Sequence, residues 1–202
     1  VDVVDHAEVN AVLVRQRLDW TRADGDAILA EEREITIFDP EPLSATLLTW
    51  QSTLTTANDR PPVTLEGSHY FGLGMRFVES MDGDARFVYE EGQPGQVVRG
   101  EERVTRGRWC MLHASAEEGP VTVALFDHPS NPRHPATFFT MPVSFAYLSA
   151  TLNLWREPLI VKAKTPLVLR YGVAGWDGTV SRDQVESLYQ RWTTLSEVDA
   201  SD

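Results

Sequence analysis

The chain has 202 residues, of which 42% are hydrophobic, and its formal net charge is −12. A chain of this length can bury a sizeable core in one domain, and its 6 Trp, 8 Phe and 5 Tyr exclude a disordered composition. The excess of 30 acidic over 18 basic residues is opposite to the basic footprint of nucleic-acid-binding proteins. Apolar runs stay short of the ~20 residues that cross a bilayer, so neither nucleic acid nor a membrane is a predicted partner.

The cysteine content does not indicate the cellular compartment of the protein. The single cysteine, Cys110, allows no internal disulfide and no cysteine-based metal site. One thiol is tolerated on either side of a membrane, so the localisation stays open between the cytoplasm and the periplasm.

Short segments with alternating apolar and polar residues predict an all-β fold. In the segment 46–55, Leu48, Trp50 and Leu54 are expected to face inward and Thr49 outward. The Asp24-Gly25 dipeptide is suited to a tight turn between the first two strands. The predicted strands, in chain order, cover residues 12–20, 28–38, 46–55, 72–78, 85–90, 108–114, 121–126, 136–145 and 167–173.

One segment near the end of the chain has helical periodicity instead. Ser181 and Gln184 have the spacing of a capping box, in which the two side chains bond each other's backbone N–H groups. An apolar stripe follows at three- and four-residue spacing, formed by Val185, Leu188, Tyr189, Trp192 and Leu195. The sequence therefore predicts an antiparallel β-sandwich with one C-terminal helix of about four turns lying on a sheet.

The segment 127–135 has the highest density of chemically versatile side chains and follows an apolar strand. Two imidazoles, a carboxylate, an amide and a guanidinium there are typical of a polyol-binding or acid–base cluster. In this interpretation His128 and His134 are catalytic and move a proton, while Asp127, Asn131 and Arg133 bind substrate. Its three prolines equally suit a stiff surface turn. Two His and one carboxylate are a known metal ligand set, but their spacing in this loop is irregular, and we predict no metal and no cofactor.

Two further residues are candidate substrate contacts. Gly72 and Gly74 leave a strip without side chains beside Arg76, which favours a shallow pocket where Arg76 holds a hydroxyl or carboxylate; a bulge with a surface ion pair is the alternative. Trp109 is a candidate platform for a sugar ring, although a core position is the commoner use of such a residue. The charged segment 31–34 has the composition of a solvated strand face.

Four segments resemble the bacterial methane-oxygenase-A-like (PmoA-like) family, and together they extend over nearly the whole chain. These are DAILAEERE at 26–34, YFGLGMR at 70–76, FDHPSNPRHP at 126–135 and LRYGVAGWDG at 169–178. The resemblance implies a galactose-mutarotase-like β-sandwich, a fold common in carbohydrate-active proteins. Aldose epimerases of that fold use His and Glu as acid and base, but their motifs do not align with this sequence, so no catalytic residue is carried over.

Pattern and resemblance together lead us to expect a carbohydrate-active protein that acts on a sugar or sugar derivative. The reaction would be of lyase, epimerase or hydrolase type with His-assisted proton transfer, and the partner a small-molecule carbohydrate. The alternative is a non-catalytic carbohydrate-binding or assembly module, and a metal-dependent oxygenase is a third hypothesis. Fold-level analogy carries the first hypothesis, because no diagnostic catalytic motif is present.

The organisation of the chain yields one more expectation. We expect residues 1–202 to form a single β-sandwich domain that is the C-terminal, larger part of a longer family domain. Members of the family are longer and carry a His-rich motif ahead of the region matching Val1. Because an open strand edge recruits other chains, the strand at 11–20 should border a preceding N-terminal segment, a second polypeptide or a symmetry mate in a homo-oligomer.

Overall fold

A computed structural model of the protein describes residues 2–6, 11–41, 43–57 and 60–198. Within these residues, two antiparallel sheets pack face to face and one helix covers the outer face of the larger sheet. The predicted class, an all-β sandwich with a C-terminal helix, is confirmed. None of the helices in the described part of the chain is long and apolar enough to span a membrane.

Among the described residues, the larger sheet has eight strands, all paired antiparallel. In sheet order they are β1 (Asp2–His6), β2 (Ala11–Thr21), β3 (Ala27–Phe38), β4 (Thr46–Thr56), β15 (Leu167–Asp177), β11 (Gly119–Asp127), β10 (Trp109–Ala116) and β7 (Arg86–Tyr89).

In the part of the chain that the structure describes, the smaller sheet has five strands, and a two-stranded ribbon accompanies it. The five, in sheet order, are β6 (Gly72–Arg76), β13 (Tyr147–Thr151), β12 (Thr137–Met141), β9 (Glu102–Arg106) and β8 (Gln96–Arg99). The ribbon pairs β14 (Leu159–Val161) with β5 (Val63–Leu65), and a short 3-10 turn covers Glu79–Met81.

Helix α1 (Arg182–Val198) begins where the capping box predicts. The backbone N–H of Ser181 donates to Oε1 of Gln184 at 2.9 Å, and the N–H of Gln184 donates to Oγ of Ser181 at 3.3 Å. The predicted apolar stripe packs on the sheet, where Trp192 is fully buried. The capping box and the stripe are both confirmed.

Strand β4 of the larger sheet is covered on both faces, which corrects one prediction. Leu54, Leu125 and Phe138 belong to the core between the two sheets, whereas Leu47 belongs to the core beneath α1. Thr49, expected to face solvent, is buried on the helix side, and its Oγ1 accepts a hydrogen bond of 2.8 Å from Nε1 of Trp192. Alternation of apolar and polar residues predicts a strand with one buried and one exposed face. It does not predict that a second element, here α1, also buries the polar face.

The hairpin of β2 and β3 turns at Asp24-Gly25, as predicted, and Gly25 has a φ of +89°. In β2, the residues expected to face inward are not all buried. Val12 and Trp20 are 40% and 46% exposed, while Ala11 and Leu13, of the other parity, are buried. The side of β2 that carries Val12 and Trp20 is open to solvent.

The edges of the fold differ from the expectation in detail. The strand predicted at 136–145 ends at Met141. Alternation did not identify six of the described strands, namely β1, β5, β8, β9, β13 and β14. β1 pairs with the segment of β2 from Ala11 to Arg15, and among the described strands only β3 pairs with the rest of β2. Val1 lies outside the described residues, and what precedes or borders this edge stays a prediction.

Candidate functional site

A groove of about 560 Å³ lies beside the core between the two sheets. One wall is the inner face of the larger sheet, with side chains of β2, β3, β4 and β15. The other wall comes from β5, the approach to β6, and the segment after β13. The lining is predominantly apolar and aromatic with a few polar groups, which is typical of small-molecule sites. Its members include Trp20, Glu31, Arg33, Trp50, Ser52, Leu65, Tyr70, Phe71, Leu152, Leu154 and Tyr171.

A buried carboxylate is the polar centre of this groove. Glu31 is 2% exposed, and its two oxygens accept four hydrogen bonds. Oε1 accepts from Arg33 Nε at 2.9 Å and from Ser52 Oγ at 2.7 Å. Oε2 accepts from Trp20 Nε1 at 2.8 Å and from Arg33 Nη2 at 3.1 Å. These bonds fill the roughly four acceptor positions of a carboxylate, so Glu31 orients its neighbours.

The electrostatics of Glu31 agree with this role. Burial by itself raises the pKa of the carboxyl, but the hydrogen bonds from Arg33, Ser52 and Trp20 outweigh burial, and the pKa is lowered. The group is therefore a fixed anion at neutral pH. It holds the guanidinium of Arg33 over the ring of Trp50, with Cζ 4.8 Å from the ring centroid.

Strand register explains why these side chains meet. Leu18 pairs with Glu31 and Gln16 with Arg33, while Arg33 also pairs with Ser52 on the other side. Directly paired residues of an antiparallel sheet share a face, so alternate residues of three neighbouring strands converge on the groove. The other parity carries Arg17 and Glu32, which form an exposed ion pair on the opposite face.

The groove is open to a ligand at its aromatic rim. Tyr70 and Phe71 are 42% and 43% exposed, like Trp20 on the facing wall. Arg33 uses three of the five N–H groups of a guanidinium within the described residues, on Glu31 and Gln16, which leaves two for a ligand. The arrangement combines rings that can cover an apolar surface with fixed donors that can bind an oxygen.

The predicted loop at 127–135 is tightly bonded. Asp127 is 2% exposed, and Asn131 Nδ2 donates to its Oδ1 at 2.7 Å. Oδ2 accepts from the backbone N–H of Ala136 at 2.8 Å and lies 2.7 Å from Nδ1 of His134. Burial raises the pKa of Asp127, although the bonds from Asn131 and His134 act against this. Asn131 also bonds both backbone polar groups of Arg170, so the loop is anchored to β15.

The two histidines of this loop have different surroundings. His128 is 3% exposed, Nδ1 lies 2.7 Å from Ser130 Oγ, and its ring meets Trp192 edge to face at 5.4 Å. Burial, with the charges of Arg170 and His134, lowers the pKa of His128 to about 4, so the ring is neutral at pH 7. His134 keeps 21% of its side chain exposed, and its bond to Asp127 occupies Nδ1 and leaves Nε2.

Arg133 supports the groove wall. Its Nη1 donates to the carbonyl oxygens of Leu152 at 2.6 Å and Glu157 at 2.8 Å, and Nη2 donates to that of Pro158 at 3.1 Å. Leu152 lines the groove. The loop and the groove are thus connected through one guanidinium.

The structure brings Asp127, His128, Asn131, Arg133 and His134 together, and their assigned roles stay predictions. Trp109 is 2% exposed, lies in the core beneath α1, and donates from Nε1 to Oε2 of Glu186 at 2.7 Å. Arg76 lies apart on β6, with Cζ 4.2 Å from the ring centroid of Phe145. The side chain of Tyr147 covers the backbone at Gly74, where a Cβ would lie 2.0 Å from the Tyr147 hydroxyl oxygen.

Sequence reasoning missed the groove, and it interpreted the segment 31–34 as a solvated face. That interpretation is wrong for Glu31, which is buried, and for Arg33, which is half-buried. The sequence does contain a signal for this pairing. A two-residue turn centred on Asp24-Gly25 pairs Leu18 with Glu31 and Gln16 with Arg33, and this is the observed register. Within the described residues, no group of three or more His, Cys, Asp or Glu could hold a metal ion.

The fold and the groove define an all-β sandwich-like protein with a polar centre on the inner face of its larger sheet. The chain belongs to DUF6807, a family of unknown function, whose profile matches residues 2–190. A search of curated proteins finds no match. The family match is silent on the PmoA-like and galactose-mutarotase-like resemblance, which stays a prediction.

Proposed function

We propose that this protein is carbohydrate-active and binds a neutral saccharide in the groove between its two sheets. The observation that carries the proposal is the Glu31 centre, a buried carboxylate that orients Arg33 and Trp20 among exposed aromatic rings. A sugar ring has apolar C–H faces and a rim of hydroxyl groups. Aromatic rings pack against such faces, and a fixed guanidinium binds hydroxyl oxygens.

Size and charge narrow the ligand class. A cavity of about 560 Å³ is within the ~300–1,000 Å³ range of small-molecule sites. The positive charge of Arg33 is already balanced by Glu31, and Glu66 adds a carboxylate to the lining. An anionic sugar would therefore gain no net attraction, and we expect neutral sugars to bind more tightly than uronic acids.

Isothermal titration calorimetry with a panel of neutral sugars and matching uronic acids tests the proposal. We expect Arg33→Ala to weaken binding of the best neutral sugar by about tenfold or more, since hydrogen bonds to charged groups contribute about 1.5–3 kcal/mol. The matched control is Arg17→Ala, because Arg17 lies on the opposite face of the adjacent strand and is 90% exposed. No binding by any sugar, or equal loss in both variants, would contradict the proposal.

A second candidate function is enzymatic and rests on the contact between Asp127 and His134. A carboxylate 2.7 Å from Nδ1 fixes the orientation of the imidazole, and Nε2 could then exchange a proton with a substrate. The test is ¹H NMR of the bound sugar incubated with the protein in D₂O. An enzyme of epimerase or lyase type would exchange or consume carbon-bound protons, and His134→Gln would abolish this. Unchanged spectra would leave the non-catalytic binding module as the function.

A further inference from the structure

A second cleft, of about 1050 Å³, lies on the outer face of the smaller sheet. Its lining includes His69, Tyr70, Arg99, Glu102, Phe139 and Tyr147. Tyr70 and Tyr147 line the groove as well, so the two cavities are neighbours on either side of these rings. A ligand long enough to pass Tyr70 would contact both.

The polar centre of this cleft resembles that of the groove. Glu102 is buried, with 7% of the residue exposed, and Oε1 accepts a hydrogen bond of 2.6 Å from Nη2 of Arg99. The side chain of Arg99 is otherwise 83% exposed. In both cavities, then, a buried carboxylate fixes an arginine that has further donors to offer: Glu31 holds Arg33, and Glu102 holds Arg99.

The second oxygen of Glu102 is unusual. Oε2 is buried and has no hydrogen-bond partner among the described residues, and Nε2 of His69 lies 3.8 Å from it. Buried polar atoms are almost always hydrogen-bonded, so an orphaned carboxylate oxygen beside a cleft calls for an explanation. An additional donor, either a ligand hydroxyl or a reoriented His69, would satisfy it.

Ring contacts also connect the two cavities through Tyr70. Tyr70 meets Phe71 on the groove side at a centroid distance of 4.9 Å and Phe139 on the cleft side at 5.9 Å. Phe139 in turn lies 6.0 Å from Tyr147. Phe139 is 3% exposed, so the exposed rings of Tyr70 and Phe71 are the ones on which sugar units can pack, each through an apolar face.

We propose that Arg99, Glu102 and Tyr70 form a second subsite for the same ligand, so that the saccharide is an oligosaccharide spanning both cavities. The inference rests on the proposed saccharide binding in the groove and deepens it by naming chain length as a determinant. Groove contacts are made by one end of the chain, and Arg99 contacts hydroxyl groups of a later unit.

The test measures affinity against chain length by calorimetry. The probes are mono- to tetrasaccharides of β-1,4-glucan, α-1,4-glucan, β-1,4-xylan and β-1,4-mannan. We expect the longer members of one series to bind about tenfold more tightly than its monosaccharide. Arg99→Ala should remove this gain and leave monosaccharide affinity unchanged, whereas Arg33→Ala should weaken both.

Two further variants keep the test decisive. Arg99→Ala leaves the Glu102 carboxylate unpaired, so the double variant Arg99→Ala/Glu102→Gln is measured beside it, with Arg86→Ala at the far edge of the larger sheet as control. Affinity independent of chain length, or a length gain retained in both Arg99 variants, overturns the second subsite while the proposed function stands. Absence of binding by every probe overturns both.

Discussion

The indole N–H of Trp20 donates a 2.8 Å hydrogen bond to the buried carboxylate of Glu31 on the neighbouring strand. Trp20 is itself 46% exposed, so its ring faces the groove while its polar atom is fixed from below. A surface tryptophan held in this way loses little conformational freedom when a ligand packs on it, which favours binding.

The loss of unfolding free energy at acidic pH should depend on Glu31. Burial raises its pKa, but the bonds from Arg33, Ser52 and Trp20 lower it overall, so the folded-state pKa lies below the unfolded value of about 4.5. Its stabilisation is therefore present above pH 4.5 and is lost as the pH falls through the folded-state pKa. We expect Glu31→Gln to cost about 1–3 kcal/mol of unfolding free energy at pH 7 and to reduce the loss at acidic pH.

Urea unfolding between pH 7 and pH 3 measures the effect. Glu32→Gln is the matched control, because Glu32 is the next residue and its side chain is 66% exposed on the other face. If the curves of Glu31→Gln and Glu32→Gln both run parallel to that of the unmodified protein, the buried anion does not stabilise the groove.

His128 should make the protein less stable in mild acid. Its pKa is lowered to about 4 from 6.5 by burial and by the charges of Arg170 and His134. The unfolded chain therefore takes up a proton first, and stability present above pH 6.5 is lost as the pH falls toward 4. The contribution of His128 to the unfolding free energy should fall by about 2 kcal/mol between pH 7 and pH 5. His128→Gln should have a correspondingly shallower profile, and identical slopes would contradict this account.

Asp127 should be a major stabilising residue of its loop. Its carboxylate accepts hydrogen bonds from Asn131 and from the backbone N–H of Ala136, which would both lose a buried acceptor in Asp127→Ala. Each unsatisfied buried donor costs about 1–3 kcal/mol, so we expect a loss of about 3 kcal/mol in unfolding free energy. Chemical denaturation at pH 7 measures it, with exposed Asp19 as the control position for the same substitution. A loss below about 1 kcal/mol would mean that the loop does not depend on this carboxylate.

Local signals in the sequence predicted local structure well. Ser181 and Gln184 indicated the start of α1, and Asp24-Gly25 indicated the β2–β3 turn, because both depend on residues close in the chain. Thr49 was assigned to solvent because alternation reports the character of a strand and not which elements cover its two faces.

The loop at 127–135 and the groove show the same limit. Proximity in the sequence correctly grouped Asp127 with His134. The groove combines residues from β2, β3 and β4 with Tyr70, and Tyr70 is joined to them by no hydrogen-bonded register. Side chains that converge through the packing of two sheets leave no common spacing in the chain, so a motif search has nothing to detect.

The most direct test of the groove as the ligand site is an NMR titration that follows the tryptophan indole N–H signals. The chain has 6 Trp, of which Trp20 and Trp50 line the groove while Trp109 and Trp192 are buried in the core between α1 and the larger sheet. On addition of the neutral saccharide that binds most tightly in the calorimetric panel, we expect the Trp20 and Trp50 signals to shift and those of Trp109 and Trp192 to stay in place. Shifts at Trp109 or Trp192 with none at Trp20 and Trp50 would contradict the groove as the ligand site.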